Sequence, residues 1–135
     1  EYSLPNTVVR YLGTGLWDEE DVRRNPDMKG AWFTSAAPGG YTAFERRFTA
    51  AYGYKPPRLA SLAYDAVALA SELALKAGGP HFGPDQLTRR EGFNGPANGL
   101  YRLMPDGTSE RALAVIEIAP PGVKVLDAAP KWFEN

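Results

Sequence analysis

The chain has 135 residues, no cysteine and a single histidine. Without cysteine there is no disulfide framework, no thiol nucleophile and no thiolate metal site. The one histidine, His81, sits in the loop sequence Gly79-Pro80-His81-Phe82-Gly83. A zinc site would therefore rest on carboxylates alone, which zinc seldom uses, and a serine triad would depend on a base that nothing nearby orients. Ser35, Ser61, Ser71 and Ser109 also lack the glycine-flanked context of a nucleophile elbow. Neither sign of charge dominates: 15 Lys+Arg against 16 Asp+Glu leave a net charge of −1. No basic surplus exists to neutralise a phosphate backbone, so nucleic acid is not an expected partner. No stretch approaches the roughly 18 apolar residues of a membrane span, and no signal-peptide pattern is present. The chain starts at Glu1 rather than Met, which reads as a processed or truncated product.

What remains is ordinary globular material, with 44% hydrophobic and 23% charged residues, so disorder throughout is not expected. Gly 14 and Pro 12 are well above average and punctuate the chain into short elements. Thr7-Val8-Val9-Arg10-Tyr11-Leu12 reads as a buried strand ending at Gly13-Thr14-Gly15. Asp18-Glu19-Glu20-Asp21 followed by Val22-Arg23-Arg24 suits a short helix, with acids at its start and bases at its end, stopped by Asn25-Pro26. The acidic run is otherwise a solvated face, and it lacks the spaced oxygen ligands of a calcium loop. Gly30 to Thr34 reads as a second strand, so the chain opens on a parallel βαβ unit.

Tyr41, Phe44, Phe48 and Ala51 recur at helical spacing up to Gly53. Arg58 to Ala77 is the strongest helix. Its stripe of Leu59, Leu62, Ala66, Leu69 and Leu73 lies beside a second of Ala60, Ala63, Val67, Ala70 and Ala74. Ser61, Asp65, Glu72 and Lys76 form a narrow polar edge, and so wide an apolar surface implies packing on more than one side. Asp85 to Arg90 reads as a short helix, and Gly92 to Gly99 as a turn-rich loop with Asn94-Gly95 as a turn signal. Leu100 to Leu103, Ala112 to Ile118 and Val123 to Leu126 read as strands of an antiparallel end. The tail from Ala128 reads as an arm that Trp132-Phe133 can dock.

One stretch has the character of a binding rim. Gly13-Thr14-Gly15-Leu16-Trp17-Asp18 follows the carboxyl end of a predicted parallel strand, where ligands sit in open α/β sheets. Thr14 and the glycine amides offer hydrogen bonds, and Trp17 is either a flat apolar wall or a residue packed under the next helix. Phe33-Thr34-Ser35 leaves the same sheet edge, as a second rim or as an ordinary loop. Gly13-Thr14-Gly15 also matches half of a dinucleotide fingerprint, but the third glycine is missing and acids follow where a phosphate would lie. No catalytic residue, metal site or cofactor is expected, and the chain does not read as an enzyme.

Three runs, taken in order, resemble one family. "YLGTGLWDEEDVRRNPDMKGAWFTSAAP" is similar to the last strand-loop-helix-strand of the type I periplasmic solute-binding proteins, the leucine/branched-chain amino-acid-binding group. "FERRFTAAYGYKPPRLASLAYDAVALASELA" resembles the helix pair that follows there, with its Tyr-Gly stop, its proline and its Tyr-Asp-Ala helix. "FNGPANGLYRLMPDGTSERALAVIEI" resembles the family's closing glycine pattern and long last strand. The resemblance covers nearly the whole chain, residues 7 to 127. The run GTGLWD is equally similar to the family's subgroup of bacterial lipoproteins described as penicillin-binding-protein activators.

The resemblance implies an α/β fold, the C-terminal portion of two lobes joined by three crossovers, with ligand held between them. Residues 1–36 would belong to the second lobe, 37–105 would supply first-lobe elements, and 106–135 would return to the second. It implies an extracytoplasmic (periplasmic) solute-binding protein, which delivers an amino-acid-like solute to a membrane ABC transporter, and the lipoprotein subgroup implies a lipid-anchored parent. Thr14, Leu16, Trp17 and Phe33 would line the second-lobe side of the site. Tyr64 and Asp65 are either further contacts or structural. The alternative is an interaction module that activates a cell-wall synthase and binds no solute. Either way the two central helices would expose apolar faces, to be covered by the missing N-terminal half or by a second copy of the chain.

Overall fold

The computed structural model describes residues 8–76 and 82–134. The chain divides into two compact units. One contains the residues up to Ala36 and Leu113–Ala129; the other contains Ala37–Ala112 and the residues from Pro130 on. The chain thus passes from one unit to the other after Ala36, after Ala112 and after Ala129.

The first unit is a four-stranded sheet in the order β1-β2-β6-β7. The strands are β1 (Leu12–Gly13), β2 (Trp32–Ser35), β6 (Ala114–Ala119) and β7 (Gly122–Asp127). β1 and β2 are parallel and joined through helix α1 (Glu20–Arg24), the βαβ start that the sequence pattern predicts. β2 pairs antiparallel with β6, and β6 with β7. Period-two alternation sorts β6, so that Ala114, Ile116 and Ile118 turn inward while Val115 and Glu117 do not. With Ala31 and Phe33 they form the core, which Trp17, Val22, Met28 and Val123 cover. Each fully buried side chain of the size of Ile116 or Phe33 stabilises the fold by roughly 1.5–3 kcal/mol. The first strand differs from expectation. β1 is only two residues long and forms an edge of the sheet, and Leu12 is 73% exposed rather than buried.

The second unit sets helices against a three-stranded antiparallel sheet in the order β3-β4-β5. Its strands are β3 (Phe93–Gly95), β4 (Gly99–Leu103) and β5 (Ser109–Arg111). Helix α2 (Pro38–Tyr52) begins on a proline and ends at Gly53, whose left-handed backbone (φ 78°) closes the helix at little cost for a residue without Cβ. Its aromatic face packs Phe44 against Tyr64 of α3 (Ala60–Lys76), with ring centroids 5.0 Å apart. α3 lays Leu69 and Leu73 on Phe93 and Tyr101 of the sheet, and Leu87 of the short helix α4 (Pro84–Leu87) joins them.

Three expectations change here. Asn94-Gly95 is not a turn but the end of β3. The reversal is Pro96-Ala97-Asn98, closed by Gly99 in the left-handed region (φ 72°). β5, which the polar run Ser109-Glu110-Arg111 did not announce, pairs with β4. The polar edge assigned to α3 is also divided. Ser61 and Asp65 lie on the same buried face as Leu69 and Leu73, while Leu59, Leu62, Val67 and Leu75 are exposed. Asp106-Gly107 is the turn expected of it, with Asp106 Oδ1 accepting from the Thr108 amide (2.9 Å) and hydroxyl (2.7 Å). In the tail, the Arg102 guanidinium lies 4.5 Å from the ring centroid of Phe133, while Trp132 is exposed. His81 and the Gly78-Gly79-Pro80 stop lie outside the described residues.

Candidate functional site

The rim sequence follows β1. Gly15–Trp17 forms one turn of 3-10 helix, and Thr14 caps it, its hydroxyl accepting from the Leu16 amide at 3.4 Å. Asp18 closes the turn and pairs with Arg23 of α1 at 2.8 Å. Two glycines allow this compact form. A Cβ at Gly13 would fall 2.3 Å from the Trp17 indole, so the ring lies directly across the Gly13 backbone. A Cβ at Gly15 would stand 3.4 Å from the Thr34 carbonyl oxygen, so the loop rests on the end of β2.

The four candidate residues therefore play different parts. Thr14 and Leu16 face solvent, Leu16 at 82% exposure, a high value for a leucine on a short turn. Trp17 is half buried: its ring packs on the core as well as on Gly13, and so takes the packing role alongside any role as a wall. Phe33 is only 2% exposed and belongs to the core. The alternation along β2 turns Phe33 and Ser35 inward and leaves Thr34 outside, so Thr34 is the side chain that β2 presents at this edge. The expected lining position of Phe33 is corrected on that ground.

On the same unit, the Trp32 indole N–H donates to Glu117 Oε2 (3.2 Å) and the Arg10 guanidinium stacks 4.4 Å from the ring centroid of Trp32. Opposite charges and a ring surface satisfy one another there, and the cluster pins the chain ahead of β1 to the sheet.

Asp65 is structural. It is 2% exposed, and its two carboxylate oxygens accept from the Ala97 amide (2.8 Å), the Asn98 amide (2.9 Å) and the Asn98 side-chain amide (2.8 Å). Ser61 adds a hydrogen bond to Asn98 Oδ1 at 3.2 Å. A carboxylate thereby supplies the acceptors that the Pro96–Asn98 reversal needs for its inward N–H groups. Tyr64, its neighbour, accepts from Arg47 of α2 at 3.1 Å and helps join the two helices. Among the described residues there is no group of three or more side chains suited to hold a metal ion, and no helix long and apolar enough to cross a membrane.

No family model matches the chain, and no curated protein matches it. Solved structures do. A protein of Rhodospirillum rubrum described as a branched-chain amino acid ABC transporter matches 87% of this chain at a TM-score of 0.69 and 19% identity, over 37% of its own length. A solute-binding protein of an ABC transporter from R. palustris, solved in complex with benzoate, matches 93% at a TM-score of 0.58 and 21% identity, over 37% of its length. The leucine-binding protein LivK of Thermotoga maritima matches 84% at a TM-score of 0.54 and 20% identity, over 35% of its length. The chain spans little more than a third of each. Its fold is that of part of a type I periplasmic binding protein, as the resemblance of its three sequence runs implied.

Proposed function

We propose that the chain is the C-terminal portion of an extracytoplasmic solute-binding protein serving an ABC-type membrane transporter, and that its solute is amino-acid-like. The observation that carries this reading is the Thr14–Trp17 turn. It stands at the carboxyl end of a parallel strand in a fold shared with solute-binding proteins, with a solvent-facing hydroxyl and an exposed leucine beside an indole. Thr14, Leu16 and Trp17 form one wall of the site. Thr14 orients the solute by hydrogen bonding, Leu16 and the open part of Trp17 cover its apolar part, and Phe33 supports the wall from beneath. The chain performs no reaction; it holds the solute and releases it.

The three passages of the chain between its units support an assignment to lobes, with the four-stranded unit in the second lobe and the helical unit in the first. Neither lobe is complete in this reading. The exposed apolar side chains of α3 fit contact with the remaining portion of the first lobe, or with a second copy where that portion is missing.

Calorimetry on the protein that contains this chain, against the common amino acids and simple aromatic acids, tests the reading. Saturable heat with one solute class, reduced at least tenfold by Leu16→Ala with Thr14→Val, is the expected result. No heat with any solute, together with capture of a cell-wall synthase by the same protein, would overturn it in favour of an interaction module.

A further inference from the structure

Residues 130–134 follow β7 of the sheet unit but belong to the helical unit. Just before them, Ala129 packs against the core of Phe33, Ile116 and Ile118. Just after the bend out of that core, the Phe133 ring centroid lies 4.5 Å from the Arg102 guanidinium carbon. Its seat is fixed from below. Arg102 Nε donates to Glu110 Oε2 at 2.6 Å and Nη1 to the Arg90 carbonyl at 3.3 Å, so the guanidinium is held in place before the ring meets it. A Cβ on Gly92 (φ 71°) would stand 3.1 Å from the Phe133 ring and 2.4 Å from the Tyr101 carbonyl oxygen. The bare backbone at Gly92 therefore forms the notch that the ring fills. A ring over a fixed guanidinium gains cation–π attraction as well as apolar contact. Trp132, although larger, is 71% exposed, so the seat takes the phenylalanine.

Within this chain the backbone also passes between the units after Ala36 and after Ala112. Ser35 stands opposite Ala114 in the β2–β6 register, so these two passages leave the sheet from neighbouring strand ends. Two neighbouring strands make a hinge, about which units turn with little resistance. The third passage leaves from the next strand, where Asp127 stands opposite Val115. It is anchored on both sides, by Ala129 in one unit and by Phe133 in the other. Only Pro130, Lys131 and Trp132 lie between the anchors. Such a link spans roughly 14 Å at full extension, and the fixed φ of proline stiffens it. So short a link, held at both ends, resists any turn that would carry its anchors further apart.

We propose that residues 130–134 are a strap that restrains turning of the two units about the passages at Ala36 and Ala112, and that the strap raises solute affinity by doing so. The affinity half rests on the solute-binding reading above; the restraint itself needs no solute. A protein freer to turn has more arrangements to give up when it closes on a solute, so a loosened strap weakens binding.

The test uses the protein that contains this chain. Spin labels on Arg46→Cys and Lys124→Cys, exposed positions in different units, give the spread of distances between them by pulsed electron resonance. Without solute, Phe133→Ala is expected to widen that spread at least twofold. Phe133→Tyr keeps the ring and is expected to leave the spread unchanged, as is Trp132→Ala. Inserting Gly-Ser-Gly-Ser between Ala129 and Pro130 keeps Phe133 on its seat but slackens the strap. It is expected to widen the spread as Phe133→Ala does, a response that a merely local packing role for Phe133 would not give. Calorimetry with the solute that gives heat is expected to show binding weakened at least threefold by Phe133→Ala and by the insertion. A spread that either change leaves as it was overturns the strap, whatever the solute does. A widened spread with solute affinity unchanged or tightened overturns the affinity half. A widened spread with no heat from any solute overturns the solute-binding reading, and the affinity half with it, while the restraint stands.

Discussion

Replacing Asp65 by alanine tests the main polar joint of the helical unit. The carboxylate accepts three N–H groups at 2.8–2.9 Å, all from Ala97 and Asn98. Removing it leaves two backbone donors and one side-chain donor in a site where the residue it replaces is only 2% exposed. Each buried donor left without an acceptor costs roughly 1–3 kcal/mol, and such terms do not add fully. Repacking and an entering water recover part of the loss, so a total of about 3–5 kcal/mol is expected. Asp65→Asn keeps one oxygen but sets an amide N–H₂ group against a donor, for a loss of about 2–3 kcal/mol. Against a typical domain stability of about 5–15 kcal/mol either change is large. Urea unfolding gives the loss, and amide hydrogen exchange places it: Ala97 and Asn98 are expected to lose protection in both variants while Ile116 in the other unit keeps its own. A loss below about 1 kcal/mol for Asp65→Ala, with protection at Ala97 and Asn98 unchanged, would refute the reasoning.

The same joint sets a steric condition at Gly95, where a Cβ would lie 2.4 Å from Asp65 Oδ2. Gly95→Ala is therefore expected to destabilise by about 1–3 kcal/mol in urea unfolding, whereas Gly39→Ala, whose Cβ meets nothing, is expected to be neutral or better. Phe33→Ala is expected to lose about 3–5 kcal/mol through a core cavity, measured by denaturant midpoint; a change within 1 kcal/mol would return Phe33 to the surface of the site. Burial, and after it the charge of Asp65, holds the Tyr101 hydroxyl above its ordinary value near 10. The folded state therefore resists an ionisation that the unfolded state undergoes. Its contribution is fully present below pH 10 and is lost as pH rises from there through the folded value. Thermal melting between pH 9 and 11 is expected to show this alkaline loss, reduced in Tyr101→Phe, and an identical profile in the variant would contradict it.

The helices were legible because their signals are local. The spacing of Tyr41, Phe44 and Phe48, the stop at Gly53 and the leucines of α3 each act within a few residues. The inward positions of β6 were legible because Ala114, Ile116 and Ile118 alternate with their neighbours. What escaped depended on distant partners. Ser61 and Asp65 carry the chemistry of a solvated edge, and only Asn98, more than 30 residues away, makes them interior. β5 is Ser-Glu-Arg and has no strand signature of its own; it is a strand because β4 lies beside it. At the candidate site the turn and its glycines are readable in the sequence, but a strand's exit from a sheet does not say which side chain points inward, so nothing local separates Phe33 from Thr34. The parity of β2 against β6 decides that, and it puts Thr34 outside.

The central claim is that the Thr14–Trp17 turn meets a solute, and mapping amide shifts on the protein that contains this chain tests it most directly. As the solute that gives heat in calorimetry is added, the account predicts saturable shifts at Gly13, Thr14, Gly15, Leu16, Trp17 and Thr34, with a midpoint equal to the calorimetric one. Saturable binding that leaves these six amides unmoved would contradict it.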